Sequence, residues 1–141
     1  MATTQQGFEF PADYGEYLDD KGIIKCKYLT SLPEGIAEYL ESERLTMSQL
    51  RAFYAHAKRA EDAWRRGLPL EEAVREIQKL ESHASDRFGK RKITPTFYNF
   101  LRKNAKCVIG NDGGKTFKAF LEHFQALVGF CAGRLNERDR T

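Results

Sequence analysis

Three features of the sequence predict an all-α fold. Apolar residues recur every third or fourth position through most of residues 33–135, capping and stop signals bracket these periodic stretches, and no β-branched alternating segment, internal repeat or low-complexity tract interrupts them. A chain of 141 residues that is 41% hydrophobic and 30% charged is sized for one domain, burying roughly two-thirds of the surface its unfolded form exposes. The expectation is a single helical domain over 1–141. It comprises a compact bundle of about five helices over 33–135, an irregular acidic N-terminal arm over 1–32 and a frayed tail over 136–141.

The arm has no sustained period. It carries Phe8, Phe10, Tyr14, Tyr17 and Tyr28, is broken by Pro11, Gly15 and Gly22, and packs either on its own core or on a neighbour, with room for one short helix. "PEGIAEYLESE" then opens the first bundle helix, with Pro33 suited to a first helical position and Ile36, Ala37 and Leu40 on one side. The second helix has both ends written in the sequence: Thr46 and Gln49 stand in capping-box spacing, and Gly67 is a left-handed stop with Pro69 beyond it. At about 100° per residue Met47, Leu50, Phe53, Tyr54, Ala57, Ala60 and Trp64 share one face, opposite Arg44, Arg51, Lys58 and Arg65, with Ser48, Arg59 and Arg66 beside these.

A third helix runs from about Leu70 to Phe88 on Ala73, Val74, Ile77, Leu80 and Ala84. The basic link "GKRK" leads to a fourth, for which Thr94 is a candidate cap and Pro95 a first residue, extending to Gly110. Its buried stripe is Phe97, Leu101, Ala105 and Val108, with Asn99, Arg102, Lys103 and Lys106 facing outward. The last helix, from about Thr116 into the 130s, repeats Phe117, Phe120, Leu121, Phe124, Leu127, Val128, Cys131 and Leu135, the pattern of a core helix.

Catalytic and metal chemistry find no constellation. "GNDGGKT" ends like a phosphate-binding loop, but the required glycine five residues before Gly114 is Ile109, and the motif follows a helix rather than a strand, so a cap and turn is expected. His56, His83 and His123 lack ligand spacing, Ser82, His83 and Asp86 are neighbours on one helix rather than a folded triad, and no carboxylate pair sits in an apolar stretch. No cofactor is implied. Cys26, Cys107 and Cys131 are odd in number and far apart, as in a reducing compartment, and Cys131 reads as a small buried hydrophobe. "MATTQQGFEF" lacks the apolar stretch of a secretion signal and no run approaches a membrane span, which together predict a cytoplasmic protein.

Charge is where the chain departs from an ordinary bundle. The net charge is only +3, yet residues 1–43 hold three Lys/Arg against nine Asp/Glu, whereas residues 87–118 hold nine against Asp112 alone. Cations packed this closely repel one another, so the arrangement is best explained by a polyanion. The candidate phosphate-binding residues are Ser48, Arg51, Lys58 and Arg59 on the second helix, then Arg91, Lys92, Arg102, Lys103 and Lys106. Phe97 belongs to the core by its spacing, which leaves Tyr98 as the better candidate for stacking on a base.

The order of these blocks also resembles a known family. "YGEYLDDKGIIKCKYL", "IAEYL", "LTMSQLRAFYAHAKRAEDAW" and "TFKAFLEHFQALVGF" are similar to the small subunit of the type III-A CRISPR effector, the Csm complex, with "LTMSQLRAFY" the most specific. The resemblance implies a small helical protein, not an enzyme, stacked in copies along a ribonucleoprotein filament, where it lines guide RNA paired to target RNA beside the other effector subunits. Ser48, Gln49 and Arg51 carry over best. Where the family has Lys-Pro-x-Leu-Ala-Tyr followed by an Arg, this chain has "TPTFYNFLRKN", which retains Pro95 and the basic character, with Asn99 roughly at the Tyr position and Lys103 near that of the Arg. Phosphate contacts made without regard to sequence suit a protein that must hold any guide on any target. The alternative is a helical DNA-binding protein using the basic helix 46–66.

Overall fold

The computed structural model describes residues 7–137, and the expected tail residues 138–141 and the start of the arm at 1–6 lie outside that span. Five α-helices make the fold: α1 Ser31–Ser42, α2 Met47–Arg65, α3 Leu70–Gly89, α4 Pro95–Ala105 and α5 Lys115–Cys131. The all-α expectation holds, and among the described residues the one extended pairing is an isolated bridge between Leu18 and Ile24.

Local chemistry explains most helix ends. Thr46 Oγ1 accepts the backbone N–H of Gln49 at 3.2 Å and the Gln49 side chain accepts that of Thr46 at 3.0 Å, closing the capping box expected for α2. After α2, Gly67 turns left-handed at φ 113°, and Leu68 N–H donates back to the Ala63 carbonyl at 2.9 Å. The same hydrogen-bond pattern closes α1 and α3, but there arginines occupy the left-handed position, Arg44 at φ 67° and Arg91 at φ 60°. An L-residue pays a steric penalty in that conformation, since its Cβ crowds the carbonyl.

α4 differs from its expected form at both ends. Thr94 makes no side-chain cap; Glu43, at the end of α1, accepts the Thr96 N–H at 3.1 Å and the Thr96 hydroxyl at 2.5 Å instead. The helix stops at Ala105 rather than Gly110, because the next residues bond elsewhere: Thr116 Oγ1 accepts the Ile109 N–H at 3.0 Å, and Asp112 accepts the N–H groups of Gly114 and Thr116. "GNDGGKT" is thus the turn and cap expected. Gly114 is required there, since its φ is 88° and a Cβ would sit 2.4 Å from the Trp64 ring.

α5 is buried on nearly all sides, with Phe117, Phe120, Phe124, Leu127 and Cys131 sealed from solvent. Trp64 stacks on Phe117, and Phe97 and Phe100 of α4 meet Phe124. Burial pushes the Cys131 thiol up to about 12, as befits the inert core residue expected.

The N-terminal segment is a packed strap on its own core, with one short 3₁₀ turn at Cys26–Tyr28. Tyr17 and Tyr28 are 1% and 0% exposed. The strap is pinned by a buried chain of hydrogen bonds whose polarity follows from one carbonyl. The Tyr28 carbonyl can only accept, so His123 donates to it from Nδ1 at 2.7 Å and must accept at Nε2 from the Tyr14 hydroxyl at 2.6 Å. Tyr14 in turn accepts from Asn104 Nδ2 at 2.7 Å, and Asn104 Oδ1 accepts the Tyr17 hydroxyl at 2.5 Å. Burial lowers His123 to about 4, which keeps the ring neutral as this chain demands.

Candidate nucleic-acid interface

α2 and α3 are joined by residues 66–69 and pack side by side, so the first turn of α2 lies against the last turn of α3. Between them opens a groove of about 430 Å³. Ala52, Phe53 and Ile93 give it an apolar lining, while Ser48 and Gln49 face Arg87, Lys90 and Lys92 across it. Asp86 stands between two of these cations, 2.6 Å from Arg87 Nη1 and 3.2 Å from Lys90 Nζ. The Lys90 hydrogen bond, followed by its charge and then Arg87, holds the Asp86 carboxyl below its usual range. The groove is therefore a cationic rim with one tethered carboxylate over an apolar bed.

The bare backbone of α2 contributes little here. Its Met47 and Ser48 N–H groups donate to the carbonyls of Asn136 and Glu137 at 2.7 and 3.0 Å, and Gln49 donates within the capping box. The positive end of the helix is thus occupied, and an anion in the groove would be held by side chains. The same contacts correct the reading of the tail: residues 136 and 137 are docked on α2 rather than frayed.

The nine candidate phosphate-binding residues are distributed unevenly. Ser48 and Lys92 share the groove. Arg51 is gripped by both carboxylate oxygens of Glu137, at 2.5 and 3.3 Å. Lys58 bonds Glu61 at 2.6 Å, and Arg65 reaches the other oxygen of the same nearly buried carboxylate at 3.1 Å. On the outer side of α4, Arg102 donates to Asn99 at 3.1 Å and lies over the Tyr98 ring, Lys103 lies over Phe10, and Lys106 pairs with Glu81 at 3.3 Å. Arg59, Arg91 and Lys92 are exposed and make no ion pair among the described residues.

Two further cations belong with them. Arg87 and Lys90 line the groove, yet the expected set began at Arg91. The signal was present in the sequence, because the acid-free run starts at Arg87 and three-residue spacing puts Arg87 and Lys90 on one side of a helix that continues to Gly89. The stacking expectation also changes. Phe97 is fully buried as expected, but the Tyr98 ring is already covered by Phe88, centroids 4.4 Å apart and planes 3° apart.

Among the described residues no group of three His, Cys, Asp or Glu is placed to hold a metal ion, and no helix is long and apolar enough to cross a membrane. Comparison with known proteins gives one family model, Csm2 Type III-A, which matches residues 24–132. No curated protein and no solved structure gives a match. The matched span contains all nine candidate residues, the groove and helices α1 to α5 complete, whereas the docked residues Asn136 and Glu137 fall outside it.

Proposed function

The chain belongs to the Csm2 Type III-A family, that of a small subunit of the type III-A CRISPR effector, and on that premise we propose that it binds guide and target RNA through phosphate contacts independent of sequence. The observation that carries this reading is the groove, which sets Arg87, Lys90 and Lys92 opposite Ser48 with a single acid, Asp86, already paired. Its chemistry matches a sugar-phosphate backbone: ribose packs on Phe53, Ala52 and Ile93 while cations on the rim neutralise phosphate. No base-reading geometry is needed, because guide pairing supplies the sequence recognition.

In this reading Arg59, Arg91 and Lys92 are the primary cations, since an incoming phosphate displaces no side-chain partner from them. Arg51, Arg102, Lys103 and Lys106 act secondarily. Lys58 serves α2 first, because Glu61 fixes it and, chiefly by that hydrogen bond, raises its pKa. We further propose that the protein is non-catalytic and cytoplasmic, joins other subunits of the Csm complex, and stacks in copies along them. Support for stacking is the separation of charge, since the exposed acids Glu34, Glu38 and Glu41 of α1 are complementary to a basic groove on a second copy.

The test is a triple reversal, Arg59→Glu, Arg91→Glu and Lys92→Glu, assayed for binding to single-stranded RNA, RNA duplex and DNA duplex at two salt concentrations. RNA binding should weaken by more than tenfold and its dependence on salt should flatten by roughly two units of slope or more. Unchanged RNA affinity would place the interface elsewhere, and preference for one DNA sequence would favour groove reading by α2 instead.

A further inference from the structure

Resting on the RNA-binding reading above, we infer that the side of Phe88 turned away from Tyr98 is a stacking site for an unpaired RNA base. The apolar stripe of α3 runs through Ala73, Val74, Ile77, Leu80 and Ala84 and reaches Phe88, but the core does not. Phe88 is 37% exposed and outside the packed core cluster, against which Tyr98 is partly buried. Its aromatic partner is Tyr98, lying parallel at 4.4 Å, and the Arg102 guanidinium lies 5.3 Å from the centre of the Tyr98 ring.

This arrangement does two things that an ordinary exposed phenylalanine does not. Flat contact with Tyr98 fixes the plane of the ring, so a further planar group adds to an existing stack without ordering the side chain first. The chain around the ring is also cationic: Arg87 precedes it, and Lys90, Arg91 and Lys92 follow within four residues. Arg87, Lys90 and Lys92 line the adjoining groove, so a strand whose phosphates lie there brings its bases to the end of α3. A planar aromatic face beside a basic groove is the chemistry that single-stranded nucleic acids recognise, tolerant of sequence because every base has a π-face. A purely structural cover over Tyr98 needs apolar bulk, which leucine supplies, but no flat ring and no surrounding cations.

The experiment uses the full chain and two short single-stranded RNAs of equal length and charge, one with bases and one abasic throughout. The base-bearing strand should bind roughly tenfold more tightly than its abasic counterpart, and a 2-aminopurine placed in it should be quenched on binding. Phe88→Leu should remove that preference and the quenching while leaving abasic affinity unchanged, and Phe88→Trp should retain both. Thermal melts confirm that Leu still covers Tyr98. If Phe88→Leu keeps the wild-type preference, or if the wild type binds both strands equally, the stacking site is wrong. Failure of the parent reading looks different: the Arg59, Arg91 and Lys92 reversals would leave the affinity for both strands unchanged.

Discussion

Replacing Arg91 by glycine should make this protein more stable and a poorer RNA binder at once. Arg91 holds the left-handed position that closes α3, with φ 60°, its own N–H bonded to Phe88 O at 3.0 Å and the Lys92 N–H bonded to Arg87 O at 2.8 Å. An L-residue there costs about 1–2 kcal/mol, whereas glycine adopts the conformation freely but gives up about 0.5–1 kcal/mol through its more mobile unfolded chain. The net gain is about 0.5–1 kcal/mol, a rise of roughly 2–4 °C in Tm for a chain of this size. Losing one exposed phosphate contact of about 1 kcal/mol weakens RNA binding roughly fivefold and lowers the salt slope by about 0.7. Arg44→Gly is the control, because Arg44 closes α1 by the same pattern at φ 67° but lies outside the basic run of residues 87–118. Urea unfolding with unchanged m, read beside fluorescence anisotropy on labelled RNA, measures both quantities. If Arg91→Gly stabilises as Arg44→Gly does but leaves RNA affinity and salt slope intact, Arg91 is only a helix stop. If neither glycine stabilises, the backbone penalty assigned to these arginines is wrong.

Two other perturbations read separate parts of the structure. Glu137→Gln removes the carboxylate that grips Arg51 while the backbone bonds from Met47 and Ser48 persist, so RNA affinity should rise about two- to fivefold at low salt with little change in Tm; no change would show that Arg51 does not meet RNA. His123 is lowered to about 4 from 6.5 chiefly by burial, opposed by its bond to the Tyr28 carbonyl, and the unfolded chain therefore binds a proton that the folded chain refuses. Its contribution is complete above pH 6.5 and is lost as pH falls toward 4, about 2 kcal/mol by pH 5. Comparing urea melts at pH 7.5 and 5 with those of His123→Gln should show a shallower pH dependence in the variant, and equal slopes would mean that His123 titrates normally.

What could be read from the sequence was local. The periods of α1, α2, α3 and α5 located the core to within a residue or two, and the Thr46–Gln49 box and Gly67 were legible because each partner lies within four residues of the other. The end of α4 was not, because the residues that stop it, Asp112 and Thr116, bond across a loop. Nor was its cap: Thr94 has the right residue type in the right place, but Glu43 arrives from α1 and takes the donor. The docking of Asn136 and Glu137 on α2 joins residues at opposite ends of the bundle sequence, and no local pattern announces it.

The same distinction governs the site. A count over residues 87–118 treats nine cations as one patch, but folding assigns acids from outside or from the edge of that stretch to some of them. Glu81 takes Lys106, and Asp86, one residue before the run begins, takes Arg87 and Lys90. On α2, Glu137 takes Arg51 and Glu61 takes Lys58. Apart from that of the nearly buried Glu61, these pairs are exposed or half-exposed, weak enough for phosphate to exchange with the carboxylate yet sufficient to lower the affinity of each cation. The candidates with no side-chain partner to give up are then few: Arg59, Arg91 and Lys92, the last of which lines a groove that no single segment encodes. Net charge identified the kind of ligand, whereas the allocation of carboxylates, which only the fold determines, selects the residues that hold it.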